Sequence, residues 1–224
     1  MKRLILTLAL AIGVGILPAA ALASPITLAI GWSTSIGGAI TQLASGSSPL
    51  TFSGAGLNGW SVIVSTGTTA NPSNPLLDLS TTAQCGSCTS TLYLWLTGTG
   101  FTSTPAGITS TVSGNNSTSS ASFTQAAWWD GGNTAFATTN KVGDLGPFVG
   151  TGALGGSISG GGPASGTYSL TLADGFGPGA NYSVDGSVAV PEPASLALLG
   201  TGLLGLAFLF RRRITDANGL DLQA

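Results

Sequence analysis

Apolar side chains recur at every second position between residues 24 and 190, and this spacing constrains the fold more than any other feature of the sequence. The alternation is visible at 26–30, 92–96, 168–172 and 182–190. A spacing of two puts successive side chains on opposite faces of a strand, whereas an amphipathic helix needs apolar residues three and four positions apart. No long stretch of this region has the helical spacing, so the sequence predicts an all-β domain.

Clusters of glycine, proline and asparagine separate these runs and are typical of turns. Further strands are predicted at 59–66, 76–82, 108–113, 119–129, 134–139 and 148–158. Many short strands with tight turns predict an antiparallel β-sandwich, jelly-roll-like or immunoglobulin-like, with a closed β-barrel as the alternative. A disordered stalk rich in Gly, Ser and Thr fits less well, because the tryptophans and alternating leucines supply a core.

Residues 24–189 are predicted to form one domain with an unusually low charge. Its five aspartates and single lysine give a net charge of −4. One lysine cannot neutralise a phosphate backbone, so the composition argues against nucleic acid and anionic lipid surfaces as partners. Ser and Thr supply the polarity instead, filling 10 of the 16 positions from 109 to 124. Such an uncharged, hydrogen-bonding surface suits a hydrated matrix, which makes extracellular polysaccharide a candidate partner.

The chain contains no histidine. Ser-His-Asp and Cys-His catalysis and imidazole metal sites are therefore excluded. Zinc is also excluded at the two cysteines, because a structural site needs four nitrogen or sulfur ligands. A hydrolase would have to use a pair of the scattered aspartates, and most of these adjoin glycine in turns. We therefore expect no enzymatic activity and no cofactor. The alternative to the absence of a cofactor is a calcium site formed by loop oxygens, for which Asp130 and Asn133 are the first residues to test.

Aromatic residues could pack in the core or form a platform for sugar rings. Tyr93 and Trp95 share a face of one predicted strand, opposite its leucines. Trp128 and Trp129 are adjacent, so on a strand they point to opposite faces and one could be accessible. Core packing is the first interpretation of these four residues, and glycan stacking is the second.

Cys85 and Cys88 lie between two predicted strands. In an exported protein they are predicted to form a disulfide across the turn. The alternative, a redox motif, would need a cysteine at a helix start, which this all-β pattern does not offer.

The N-terminus has the pattern of a secretory signal peptide. Two basic residues precede an apolar stretch at 4–17, and Ala21 and Ala23 supply the small residues of a cleavage site. We predict a signal peptide at 1–23, removed by signal peptidase. Cleavage after Ala21 and an uncleaved anchor are the alternatives.

The C-terminus has three parts in a fixed order. Pro191, Glu192 and Pro193 form an extended, exposed motif, because proline fixes its own backbone and restricts the preceding residue. The uncharged segment 194–210 follows, and at about 1.5 Å per residue it spans roughly 25 Å, the lower limit for a transmembrane helix. Arg211, Arg212 and Arg213 then resist translocation, so the chain before the helix belongs outside the inner membrane. Residues 214–224 are predicted to be a short cytoplasmic tail.

This order over 190–213 resembles the PEP-CTERM sorting signal of exported proteins in Gram-negative bacteria that make extracellular polymeric substance. The resemblance implies that exosortase, a membrane transpeptidase-like enzyme, recognises Pro191, Glu192 and Pro193 and releases the protein from its helix. The tail at 214–224 departs from the family, whose members usually end soon after the arginines.

Together, these features predict a noncatalytic protein, briefly anchored in the inner membrane and then delivered to the cell surface or extracellular matrix. A carbohydrate-binding module using the aromatic residues is the second hypothesis, and an Asp-dependent glycan hydrolase is the third.

Overall fold

The structure, a computed structural model, describes residues 25–68, 75–102, 107–191 and 201–206. The predicted signal peptide with Ala21 and Ala23 lies outside these residues, as do Glu192, Pro193, the three arginines and the tail. The described chain forms twelve strands: β1 Thr27–Ser33, β2 Thr41–Gly46, β3 Thr51–Leu57, β4 Trp60–Thr68, β5 Leu76–Cys85, β6 Leu92–Phe101, β7 Ile108–Asn116, β8 Ser122–Asp130, β9 Asn140–Val149, β10 Gly152–Gly160, β11 Tyr168–Phe176 and β12 Asn181–Ala189.

The strands form two antiparallel six-stranded sheets. Sheet A has the order β2-β1-β6-β11-β8-β9, and sheet B has the order β10-β7-β12-β5-β4-β3. The chain passes repeatedly from one sheet to the other, and both β1 and β12 pair with a neighbour on each side. The prediction of an antiparallel β-sandwich is confirmed.

The main core lies between the two sheets. Alternating leucines of β6 and β11 face valines, leucines and Trp60 of sheet B. Each fully buried side chain of this size stabilises the fold by about 1.5–3 kcal/mol. The buried members with exposure of 1% or less include Leu28, Ile30, Trp60, Val62, Val64, Leu77, Leu79, Leu92, Leu94, Leu96, Leu170, Leu172 and Val188.

A second, smaller core covers the outer face of sheet A. Trp95 and Trp128 stack there with ring centroids 5.6 Å apart, and Ile40 and Phe136 pack against them from two loops. The Trp95 Nε1–H donates to the Ser33 hydroxyl over 2.8 Å. Trp95 is 0% exposed and Trp128 is 4% exposed, so neither ring is available to stack on a sugar.

Two predicted strands differ from the structure. Residues 134–139 form a loop rather than a strand, with Phe136 at a positive φ of 58° so that its ring reaches the smaller core. The predicted strand at 148–158 is the end of β9 and most of β10, which belong to different sheets. Gly150 and Gly152, both at positive φ, form the turn that separates them.

Candidate functional site

A polar groove crosses the outward face of sheet B near the end that carries the cysteines. Two rows of outward-facing residues define it, aligned by the pairing of β7, β12, β5, β4 and β3. The first row contains Ala55, Ser61, Gln84 and Asn181, and the second contains Ser53, Ile63, Thr82, Ser183 and Asn115. All nine residues are exposed.

Two adjacent shallow clefts lie along this polar groove, and Ser53 and Ile63 continue its second row beyond them. One of about 470 Å³ is lined by the first row together with residues 56, 59, 60 and 85–87. The other, of about 320 Å³, is lined by Thr82, Ser183 and Asn115 of the second row together with residues 116, 117 and 182. Gln84 and Asn181 line both clefts, so the two clefts are continuous across the sheet.

The disulfide turn forms one wall of the polar groove. The sulfur atoms of Cys85 and Cys88 lie at bonding distance, with their Cα atoms 5.3 Å apart. Both Gly86 and Ser87 donate their N–H groups to the carbonyl of Gly59. Gly59 has a φ of 83°, and a Cβ there would lie 2.7 Å from the Ser87 backbone. Only glycine therefore allows the two turns to approach so closely.

Several polar side chains of the groove have no protein partner within the described residues. Those of Gln84, Thr82, Ser183 and Asn115 make no hydrogen bond there. Asn181 is different, because its side-chain oxygen accepts the Cys85 N–H over 3.0 Å and its backbone N–H donates to the Ser117 hydroxyl over 2.9 Å. These contacts fix Asn181 in place and leave its side-chain amide nitrogen without a partner in the described structure.

Two carboxyl groups lie next to the groove on the same face. Asp78 and Asp185 are diagonal neighbours on β5 and β12, since Asp185 pairs with Ser80. Partial burial, followed by the charge and hydrogen bond of Asp185, raises the pKa of Asp78 to about 6. No lysine or arginine occurs in any strand of sheet B. The face is therefore neutral to negative.

A buried polar network lies between the sheets. Gln125 of β8 donates to the carboxyl of Asp174 on β11 over 3.1 Å, and it accepts from the Ser110 hydroxyl of β7 over 3.0 Å. Gly186 of β12 provides the space, because a Cβ there would meet the Gln125 amide and lie 3.1 Å from Asp174 Oδ2. Asp174 is fully buried, and this burial raises its pKa to about 7. The three side chains are closed to solvent, with exposures of 1% or less, and they line neither of the two clefts above.

Asp130 and Asn133, proposed from the sequence as calcium ligands, have structural roles in the loop after β8. Asp130 Oδ2 accepts the Thr134 N–H over 3.1 Å, and this hydrogen bond is the main cause that lowers the pKa of Asp130. Asn133 Oδ1 accepts the Gly100 N–H over 2.8 Å. No group of three or more Asp, Glu, Cys or His residues that could hold a metal occurs in the described part of the chain.

The remaining aromatic candidates, Tyr93 and Trp129, are half-buried. Tyr93 packs against the smaller core, and Trp129 packs against the main core from the other side of sheet A. The structure thus brings Tyr93, Trp95 and Trp128 together in the smaller core on one face of sheet A and places Trp129 on the other face, so these four residues form no exposed platform.

The last strand leads directly to the predicted sorting signal. Val190 follows β12, is 2% exposed, and donates its N–H to the Pro75 carbonyl over 3.0 Å. Pro191, the next residue, is exposed. Residues 189–213 match the protein family described as the PEP-CTERM protein-sorting motif. This chain carries a PEP-CTERM sorting motif.

The PEP-CTERM motif therefore begins at the residue where the chain leaves sheet B. Of the predicted membrane segment at 194–210, only 201–206 are described, and they are helical and exposed. Among the described residues, none belongs to a helix with the length and apolarity needed to cross a bilayer.

Several solved structures resemble parts of the domain that precedes the PEP-CTERM motif. The K1 cleaved adhesin domain of Lys-gingipain from Porphyromonas gingivalis W83 is 14% identical, with 65% of this chain and 99% of that chain covered and a TM-score of 0.31. The K3 adhesin domain of the same protein is 15% identical, with coverages of 58% and 74% and a TM-score of 0.28. The CBM22-1 xylan-binding domain of Paenibacillus barcinonensis Xyn10C is 12% identical, with coverages of 60% and 92% and a TM-score of 0.20. No curated protein is significantly similar in sequence.

Sequence reasoning identified the PEP-CTERM motif but missed the polar groove. The sequence does contain a sign of this groove, namely the polar residues that alternate with apolar ones along the strands, among them Gln84, Asn115 and Ser183. Alternation indicates that such residues point outward, but only the strand order and register place them side by side.

Proposed function

We propose that this chain is a noncatalytic exported protein of a Gram-negative cell surface or extracellular matrix, sorted and processed by exosortase at Pro191, Glu192 and Pro193. The match of residues 189–213 to the PEP-CTERM motif carries the proposal. The burial of Val190 beside an exposed Pro191 supports it, because processing beyond Val190 would leave every strand of the sandwich intact.

The positions of the aspartates favour a noncatalytic role. Asp174 is closed off in the core, and Asp130 is committed to a turn. Asp78 and Asp185 are diagonal neighbours on an open sheet face, with no enclosed cleft between them of the kind that a glycosidase pair flanks. The second hypothesis, glycan binding through aromatic residues, has no support from Trp95 or Trp128, because both are buried.

The test replaces Pro191, Glu192 and Pro193 by alanine and follows the protein by fractionation and intact mass. We expect the wild-type protein outside the inner membrane without its first 23 residues and its C-terminal helix, and the variant retained in the inner membrane. Replacing Arg211, Arg212 and Arg213 by lysine is the matched control, because it keeps the positive charge that sets topology, and sorting should continue. Release of the alanine variant with the same mass as the wild type would refute exosortase processing at this motif.

A further inference from the structure

We propose that the polar groove on sheet B binds a neutral, extended polysaccharide chain. The proposal goes beyond sorting and does not depend on it, since a chain retained in the membrane would still present the same groove. It rests on four properties of the groove: its free hydrogen-bonding groups, its shape, its charge and its rigidity.

The free hydrogen-bonding groups match the chemistry of sugars. Amides both donate and accept, as hydroxyls do, and sugar rims present hydroxyls that need both kinds of partner. Gln84 and Asn115 supply complete amides, and Asn181 supplies a fixed amide nitrogen. Thr82 and Ser183 add hydroxyls between them. Because none of these groups makes a hydrogen bond to another described residue, a ligand that binds them has only water to displace.

The shape suits an extended chain. The first row crosses four adjacent strands and the second row crosses five, so at about 4.8 Å between strands the second row extends for roughly 19 Å. Ile63 lies in the second row between Thr82 and Ser53, just outside the two clefts, and is 61% exposed. An exposed isoleucine among polar groups offers an apolar contact for the C–H face of a sugar ring, so the rows combine apolar and hydrogen-bonding contacts.

The charge of the face selects a neutral glycan over an acidic one. Asp185 lies one row away from Ser183 on the same strand, and Asp78 lies beside it. The one lysine in the described residues, Lys141, lies in β9 of sheet A and is paired with Asp144. A uronic-acid polymer would therefore meet like charges and no cation, which is unfavourable.

Rigidity lowers the entropic cost of binding. The groove wall is fixed by the disulfide and by the hydrogen bonds of Gly86 and Ser87 to Gly59. The Trp60 Nε1–H holds the same region by donating to the Ser90 carbonyl over 3.0 Å. This wall of the groove is thus formed before a ligand arrives.

The test is affinity electrophoresis of the full chain in a neutral detergent, in gels that contain hydroxyethylcellulose, glucomannan, arabinoxylan or alginate. We expect retardation by at least one of the three neutral polymers and none by alginate. Gln84→Ala and Asn115→Ala should each weaken binding about five- to tenfold, the usual effect of one lost hydrogen bond. Ile63→Ala should weaken it by a similar factor.

Matched controls come from sheet A and its loops. Gln42 is an exposed glutamine on β2, and Ile36 is 45% exposed, so Gln42→Ala and Ile36→Ala should bind as the wild type does. Circular dichroism of each variant checks that it is folded. Three results would overturn the proposal: no retardation by any neutral polymer, alginate binding as strong as neutral binding, or equal losses in the groove and control variants. None of them would bear on exosortase processing, which is measured by localisation and mass.

Discussion

The carboxyl group of Asp174 lies between the sheets at a position where an apolar side chain would be expected. Its Oδ1 accepts from Gln125, whereas its Oδ2 has no partner in the described structure. A buried, incompletely hydrogen-bonded carboxylate is costly, so the protonated form is favoured and the pKa rises to about 7. Asp174 therefore links the stability of the core to pH.

The free energy of unfolding should fall as the pH rises from about 4 to about 7. Over this range the unfolded chain ionises Asp174 near its ordinary pKa of 3.8, whereas the folded chain keeps it protonated until its pKa of about 7. A rise of the pKa from 3.8 to about 7 corresponds to a loss of about 4 kcal/mol in the free energy of unfolding. We expect Asp174→Asn to remove most of this fall in urea unfolding experiments at about pH 4 and pH 8, because the amide oxygen can still accept from Gln125.

Asp78 contributes in the same direction, since its pKa is raised to about 6, so a smaller slope should remain in the Asp174→Asn variant. Asp144→Asn is the control, because Asp144 lies on the surface beside Lys141, and it should keep the full fall. If Asp174→Asn kept the full fall as well, another group would have to be its source.

Within the elements, alternation identified strands whose two faces differ strongly in burial. The valines of β12 are the example, since that strand lies inside sheet B with one face against the core and the other exposed; β6 was identified from its leucines, although loops bury its outer face as well. Strands β2 and β3 were missed because they are edge strands with short or irregular apolar patterns. Strand β9 was missed for a related reason, since Gly143 and Gly146 interrupt it and its pairing with β8 shifts register twice.

Whether a candidate site could be predicted depended on whether its residues are neighbours in the sequence. The PEP-CTERM motif is a local pattern, so the sequence alone was enough to identify it. The polar groove joins β7, β12, β5, β4 and β3, which are far apart in the sequence, and its existence depends on their order. The burial of Trp95 depends on loops that carry Ile40 and Phe136 over the sheet, and a strand pattern contains no information about such a cover.

The disulfide turn is a local cross-link whose contribution can be measured. Replacing Cys85 and Cys88 by serine should lower the free energy of unfolding by about 2 kcal/mol, the chain-entropy value for a loop of about four residues. Urea unfolding of the oxidised protein checks this. Ser87→Ala changes the same turn without breaking the cross-link and should cost less than about 0.5 kcal/mol. Equal stability of the double serine variant and the wild type would mean that the hydrogen bonds to Gly59 hold the turn without help.

Across the whole molecule, the sandwich and the sorting signal meet at a single residue. Strand β12 pairs with β5 on one side and β7 on the other, so the last strand before the signal is also central to sheet B. Val190 is buried, with 2% of its surface exposed, and the next residue, Pro191, is exposed. Processing would leave the folded domain whole only if cleavage occurs after Val190, two residues into the match at 189–213.

Truncation tests this boundary. A chain of residues 24–191 should unfold in urea with the same midpoint as a chain of residues 24–206, because 201–206 are exposed. A chain that ends at 187 loses Val188 and Val190, which are 0% and 2% exposed, and the hydrogen bond from Val190 to Pro75. Burial of two valines alone stabilises a fold by about 3 kcal/mol or more, so this shorter chain should be destabilised by at least that amount. If the chain ending at 191 were unfolded while the one ending at 206 was folded, residues after Pro191 would also be needed for the fold. Removal of the sorting signal would then release an unstable protein.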